Sequence, residues 1–305
     1  MNTEPLTLTI LINNHNYAEY LRESTDSALD QTYPCIEVVV VDDGSTDESA
    51  EIIRSYGDRV VPVFKSNGGQ ASAFNAGFAH STGDIICLLD ADDVFEPQKA
   101  AEIVNAYQKF QDIGWCYHPL VLFGEVAESS VRPSGLTDSF AFDFRSRLAQ
   151  GRSPLSAPAT SGLSFKRALL DTILPMPAVI KITADNYIKF ASFGLSKGYV
   201  IHEVLARQRI HSGNRYTLRD DQTVPRAEIN LQTAVALRER FPAISRFANR
   251  LFAKGLAALP RSVREDRTRN GLLHSYLESA TLPERLAISM RLLRYRAQLS
   301  LRVRN

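Results

Sequence analysis

Residues 86–97 read ICLLDADDVFEP. Four apolar positions run into Asp90, Asp92 and Asp93, and apolar residues then resume. Carboxylates this close repel one another, and at the end of a buried strand they also lose hydration. A cation or a set of hydrogen-bond donors has to compensate them. The D-x-D spacing suits Mg2+ or Mn2+, hard ions that use one or two carboxylates and complete their shell with phosphate oxygens and water. One carboxylate would bind the ion, and the other a sugar hydroxyl or a metal-bound water. Such an ion would neutralise charge building on a departing diphosphate. Glycine motifs that cradle phosphate, GxxxxGK[ST] or GxGxxG, are absent after the first strand-like run.

Two more clusters have the same flavour: NNHNY at 13–17 and DDGSTD at 42–47. Taken singly, each fits ordinary turn chemistry, because Asn, Asp and Gly dominate turns. What unites them is the element before each. LTLTILI (6–12), IEVVVVDD (36–43) and DIICLLDADD (84–93) read as strands, the second so continuously apolar that both faces should be covered. In open parallel sheets, ligands bind beyond the carboxyl ends of the strands.

Between these runs lie helix-like segments at 17–31 and 45–57, the latter with Ser45 and Glu48 at capping-box spacing and Gly57 to close it. RVVPVFK (59–65) reads as a third strand kept near an edge by Pro62. A glycine-rich loop, NGGQ, leads into a helix, a further helix spans 97–111, and WCYHPLVLF (115–123) reads as a fifth strand. This alternation predicts an α/β fold with a mostly parallel sheet covered by helices. Residues 125–159 break the pattern, with one short helix expected at 138–151. Helical spacing returns at 161–174 and 182–195, and 198–211 reads as a strand or hairpin. Beyond residue 224 the chain reads as four helices, which divides it into an α/β domain at 1–223, expected to bind its ligand at the strand ends, and a helical region at 224–305.

Bulk properties narrow the class. The 305 residues are 44% hydrophobic and 23% charged, as in ordinary globular proteins. A net charge of +1 provides no global field to recruit nucleic acid. Cys35, Cys87 and Cys116 show no CxxC spacing, so neither a zinc site nor a disulfide framework is expected, and a reducing cytoplasm is the natural compartment. The first residues lack the basic leader of a signal peptide. No apolar run approaches the roughly 18 residues of a membrane span.

VVVVDDGSTDES, NGGQASAFNAG and LLDADDVFEP, in this order, resemble the family-2 glycosyltransferases, which have the GT-A fold. The likeness is strong over residues 6–120 and looser to about 215. It implies transfer of a sugar, of hexosyl type, from a nucleotide-diphosphate donor to an acceptor hydroxyl, with inversion. It places Asn14, Asn16 and Tyr17 in a loop around the base. Asp42 would accept a hydrogen bond from that base and Asp43 would support the turn. Asp90 would face the ribose or a metal water, and Asp92 would bind Mg2+ or Mn2+. Asn75 matches the motif of the donor pocket, whereas Phe74 stands where many members carry Arg. The general base would be Asp185 in TADNYIKF, with Ala184 replacing the family's Glu. His211 would reach the metal or the diphosphate, and Arg207 and Arg209 the phosphates. Gly162 and Ser164 would lie in an acceptor-facing loop or cap a helix, and Asp93 would sit at a helix N-terminus. The acceptor would be a glycan or a lipid-linked one, in bacterial polysaccharide or surface-glycan assembly.

Two matters stay open in the sequence. Ala184 and Phe74 keep alive a non-catalytic relative that binds nucleotide-sugar or glycan. From Arg285 to Asn305 there are six arginines and no acid, interleaved with leucines. That pattern fits a packed final helix or peripheral contact with the inner face of a membrane.

Overall fold

The structure, a computed structural model, describes residues 5–125, 128–131, 138–154, 157–180, 183–214, 223–260 and 267–302. The chain divides into two compact units, Met1–Phe144 with Leu155–Asn214 and Arg145–Pro154 with Arg215–Asn305. Most of the junction expected near residues 211–225 falls on 215–222, outside the described residues.

In the first unit, β1 (Leu8–Asn14), β2 (Ile36–Asp43), β3 (Val61–Lys65) and β4 (Ile85–Asp90) are parallel and lie in the order β3-β2-β1-β4. Val38 to Val41 are all buried, so β2 has no solvent face to encode and shows no alternation. Pro62 sits on β3 at the sheet edge, where its missing N–H breaks no ladder. The helices α1 (Ala18–Leu29), α2 (Ser49–Ser55), α3 (Gln70–His80) and α4 (Lys99–Lys109) connect these strands and lead out of β4. Within α3, a Cβ on Gly77 would lie 2.8 Å from side-chain carbons of both Leu11 and Val41. Only glycine lets α3 lie this close to β1 and β2.

Four segments depart from their sequence reading. The expected fifth strand is two, β6 (Ile113–Tyr117) and β7 (Leu120–Gly124), in different sheets, after the short β5 (Val94–Phe95). Pro119 lacks the N–H to continue the ladder, and the His118 N–H turns to Gly162 O at 3.2 Å. Residues 138–151 hold a strand, β9 (Phe140–Phe142), as well as the helix α5 (Arg145–Ala149), after β8 (Ser129–Val131). The segment 161–174 is not one helix. A 3-10 turn and then β10 (Leu163–Lys166), inserted antiparallel between β4 and β6, precede α6 (Arg167–Ile173). After α7 (Ala184–Leu195), residues 198–211 form no hairpin. β11 (Lys197–Val200) joins β6 in the large sheet, whereas β12 (Ala206–Ile210) pairs with β5 and β7 in a second one. The sheets run β3-β2-β1-β4-β10-β6-β11-β9 and β5-β12-β7-β8.

The second unit holds α5 with α8 (Thr223–Arg240), α9 (Ser245–Ala258) and the helices Arg267–Ser279 and Leu282–Arg302. Its core stacks Tyr276 on Phe252, with ring centroids 3.9 Å apart. At the start of the last helix the Thr281 N–H donates to Glu284 Oε2 at 2.9 Å, the return half of a capping box. The Arg238 guanidinium reaches both Glu284 oxygens, each at 2.9 Å.

Candidate active site

Register sets the three clusters side by side. Asn14 lies opposite Asp42 across β1 and β2, and Asn13 opposite Asp90 across β1 and β4. The chain builds outward from β1 to β3 and then returns as β4 on the other side of β1. The gap between β1 and β4 is thus a topological switch point, where open α/β sheets bind ligands.

On the β1–β2 side the clusters interlock. Asn14 is buried, and its Nδ2 donates to Asp42 Oδ1 and to Ser45 Oγ, both at 3.1 Å. Asn16 adopts a left-handed φ of 59°, and its Oδ1 accepts the Thr46 N–H at 2.7 Å. Gly44, at φ 71°, permits the tight turn, since a Cβ there would lie 2.6 Å from Asn67 N. Asp43 accepts N–H bonds from Gly68 (3.0 Å) and Gly69 (2.7 Å) and pairs with Lys65, so it shapes the loop into α3. Ser45 does not cap α2 as its spacing suggests. Its hydroxyl serves Asn14 and the Asn16 N–H instead. No donor among the described residues reaches Asp42 Oδ2. Tyr17 stands edge-on to His211, with centroids 5.8 Å apart, which links this loop to the acidic side.

On the β4 side the three acids have different partners. Asp93 Oδ2 accepts the Ser161 hydroxyl at 2.6 Å and Oδ1 the Arg209 N–H at 2.9 Å. It is therefore not a helix N-terminal carboxylate; α4 starts only at Lys99. Asp92 Oδ2 lies 3.1 Å from both His211 Nε2 and Asn214 Nδ2. Because His211 Nδ1 accepts the Gly213 N–H at 3.2 Å, the ring proton belongs on Nε2, donating to Asp92. Asp90 is half-buried and receives Gln70 Nε2 at 3.5 Å. The same Gln70 accepts the Ala184 N–H at 2.8 Å and so ties α7 to Asp90.

Asp185 is buried in the first turn of α7, and its Oδ2 pairs with Lys189 Nζ at 2.7 Å. It makes no capping bond; Thr183 is the N-cap. Lys189, also buried, donates to Pro158 O at 3.2 Å. The two arginines of β12 are occupied by the protein. Arg209 pairs with Glu23, donates to Asp92 O at 3.0 Å and lies over the rings of Tyr20 and Phe123. Arg207 pairs with Glu128 and also covers Phe123.

Other expected positions are drawn elsewhere. Asn75 exchanges two hydrogen bonds with the Met176 backbone, at 3.0 and 2.7 Å, and thereby pins the segment after α6. Phe74 is a core side chain. Ser164 is fully buried on β10 and donates to Cys116 O at 3.1 Å, and Gly162 is buried in the preceding turn, so neither lies in an acceptor-facing loop.

Electrostatics single out the acidic tip. Burial, with Asp92 and Asp185 adding like charge, pushes the Asp90 carboxyl up to about 8. Burial also raises Asp92, and raises Asp93 well above the usual range, with Asp92 and Asp90 contributing to the latter. Beneath them, burial brings the Lys99 ammonium down to about 7. It donates to Ser161 O at 2.6 Å and sits 3.3 Å from the centre of the Phe95 ring. The cluster is thus short of positive charge, the condition a bound divalent ion reverses. Asp92 Oδ2 is a hard oxygen donor of the kind such an ion takes, and His211 would join it through Nε2 only by giving up the proton it donates to Asp92. Among the described residues no group of three His, Cys, Asp or Glu could hold an ion alone, so phosphate oxygens would complete the shell.

Gln70, Ser161, Lys189 and Asn214 were not evident in the sequence. Ser161 joins two acids, with Oγ donating to Asp93 and accepting the Asp90 N–H at 3.1 Å.

A sheet whose strand order reverses between β1 and β4, acids at the ends of β2 and β4, and a second small sheet define the GT-A type of α/β fold. Solved structures agree on the fold. S. aureus TarS in complex with UDP-GlcNAc superposes with a TM-score of 0.66, covering 95% of this chain and 90% of that one at 14% identity. The mannosyltransferase PcManGT from Pyrobaculum calidifontis, in complex with GDP-Man and Mn2+, gives 0.52, covering 98% and 88% at 19% identity. Residues 9–171 match Glycosyl transferase family 2, and the chain belongs to that family. It is 36% identical to an uncharacterized glycosyltransferase of Nostoc sp. over 217 residues, which is 68% of this chain and 66% of the relative. To another from Rickettsia prowazekii it is 34% identical over 210 residues, 67% and 64%. The chain thus spans slightly under two thirds of the length of these relatives. No helix among the described residues is long and apolar enough to cross a membrane.

Proposed function

We propose that this protein transfers a hexosyl group from a nucleotide-diphosphate donor to a hydroxyl of a glycan or lipid-linked acceptor, with inversion. The observation that carries the reading is that Asn14–Asp42, Asp90 and Asp92–His211 lie at the ends of the strands flanking the switch point of the sheet or beside them, with Gln70 joining Asp90 to the start of the helix that carries Asp185. Asn14 fixes one oxygen of Asp42 and leaves the other to accept from the base. Asn16 and Tyr17 frame the base from the β1 loop, and Asn75 contributes indirectly by holding the segment after α6 to α3. Asp90 faces the ribose side. Asp92 and His211 would hold Mg2+ or Mn2+, which supplies counter-charge for the departing diphosphate. Asp185 takes the acceptor's proton as its oxygen attacks the anomeric carbon. Inversion is the outcome that the resemblance to the family implies. A role in bacterial polysaccharide or surface-glycan assembly follows from the same reading.

One observation favours a rival, a relative that binds nucleotide-sugar without turnover. Lys189 occupies Asp185 Oδ2, and Ala184 precedes it. The separating experiment measures nucleotide-diphosphate release from UDP-, GDP- and dTDP-sugars with Mn2+ and a panel of acceptors. Asp185→Asn should slow transfer by about 10²- to 10⁴-fold while donor affinity stays within twofold or so. Wild-type protein that binds donor yet never releases diphosphate with any acceptor would establish the rival.

A further inference from the structure

The last helix of the second unit, Leu282–Arg302, has two opposite apolar faces. On one, Ile288 is buried at 2% exposure, with Leu292 and Tyr295 half-buried beside it. At about 100° per residue, Leu282, Leu286, Met290, Leu293, Ala297 and Leu301 share an arc about 100° wide on the other. All six are exposed, the five large ones at 58–72%. Single exposed leucines are ordinary, but an aligned row along a whole helix marks an interaction surface. Arg294 borders the row on one side, and Arg285 and Arg296 on the other. Arg285 donates to Ala280 O (2.9 Å) and Glu278 O (3.0 Å), which fixes its guanidinium at that border. Charge follows the same division. Residues 224–305 carry sixteen Lys and Arg against six Asp and Glu, whereas the whole chain is only +1. The helix also lies outside residues 9–171, the stretch matched by the family.

We propose that this helix is an interfacial anchor that lies along an anionic membrane surface. The leucine row enters the boundary between headgroups and acyl chains, and the bordering arginines meet lipid phosphates. Charge complementarity selects this occupant. A second copy would bring one arginine-rich surface against another. A nucleic acid would meet the arginines but leave the leucine row in water.

Flotation of the full chain with vesicles tests this. The protein should float with phosphatidylcholine vesicles containing phosphatidylglycerol, float much less with phosphatidylcholine alone, and bind less as salt rises. Met290→Asp with Leu293→Asp should weaken partitioning at least about tenfold. Both side chains are exposed, so the melting temperature and any donor-induced shift should stay unchanged. That keeps the outcome distinct from the reading of the active site. Absence of wild-type flotation on anionic vesicles, or equal flotation of the double variant, would overturn the proposal. So would a dimer in light scattering that the same double variant dissolves, or RNA binding that outcompetes the vesicles.

Discussion

Ser161→Ala should destabilise the protein far more than loss of a hydroxyl suggests. Ser161 is fully buried, and its oxygen joins two members of the acidic tip. Its bond to Asp93 is 2.6 Å. Burial favours the neutral form of that carboxyl, so losing the bond costs about 0.5–1.5 kcal/mol, and orphaning the buried Asp90 N–H costs about 1–3 more. Asp93 keeps the Arg209 N–H and the two losses share a neighbourhood, so they will not add fully. A net loss of about 2 kcal/mol corresponds to a fall in melting temperature of roughly 4–8 °C for a unit of this size. Ser164→Ala is the matched control. Ser164 is equally buried, but its hydroxyl donates to the neutral Cys116 carbonyl and joins no acid. That loss should be about 1 kcal/mol, or roughly 2–4 °C. Differential scanning calorimetry on both variants decides. Equal shifts would refute the view of Ser161 as the brace of the acidic tip.

Two further outcomes follow from the structure. Lys189→Met breaks a buried ion pair and leaves the Asp185 charge alone, for a loss of about 3–5 kcal/mol. Adding Asp185→Asn should recover part of it in a double-mutant cycle, and a cycle with no coupling would disprove the pairing. The Arg238 hydrogen bonds, opposed by partial burial, hold the Glu284 carboxyl down to about 2, below its ordinary 4.5. A carboxyl lowered by folding contributes stability above its unfolded pKa and loses it as pH falls through the folded one. The gap in melting temperature between wild type and Glu284→Gln should therefore be constant above about pH 5 and close toward pH 2. A gap that persists at pH 2 would contradict the assignment.

The strands that carry the site were legible because physics wrote them twice. Each is an apolar run too continuous for a surface, and β1, β2 and β4 each end in Asn or Asp. Their adjacency needed only the rule about strand ends. The second sheet was not legible. Residues 115–123 look like one strand until the proline is asked for an N–H; in the large sheet, LSFK was missed because it is too short for periodicity to separate strand from helix. The bracing residues were silent for another reason. Gln70 meets Ala184, Ser161 meets Asp90 and Asn214 meets Asp92 across 114, 71 and 122 positions, and no local pattern signals contacts of that length.

In the proposed reaction Asp92 and His211 serve a divalent ion shared with a nucleotide-sugar. Thermal unfolding with a saturating panel of UDP-, GDP- and dTDP-sugars and Mn2+ tests it. A donor at 100 times its Kd adds about 2.7 kcal/mol of stability, and this gain should vanish with chelator and in Asp92→Asn. A gain that survives both would contradict the claim.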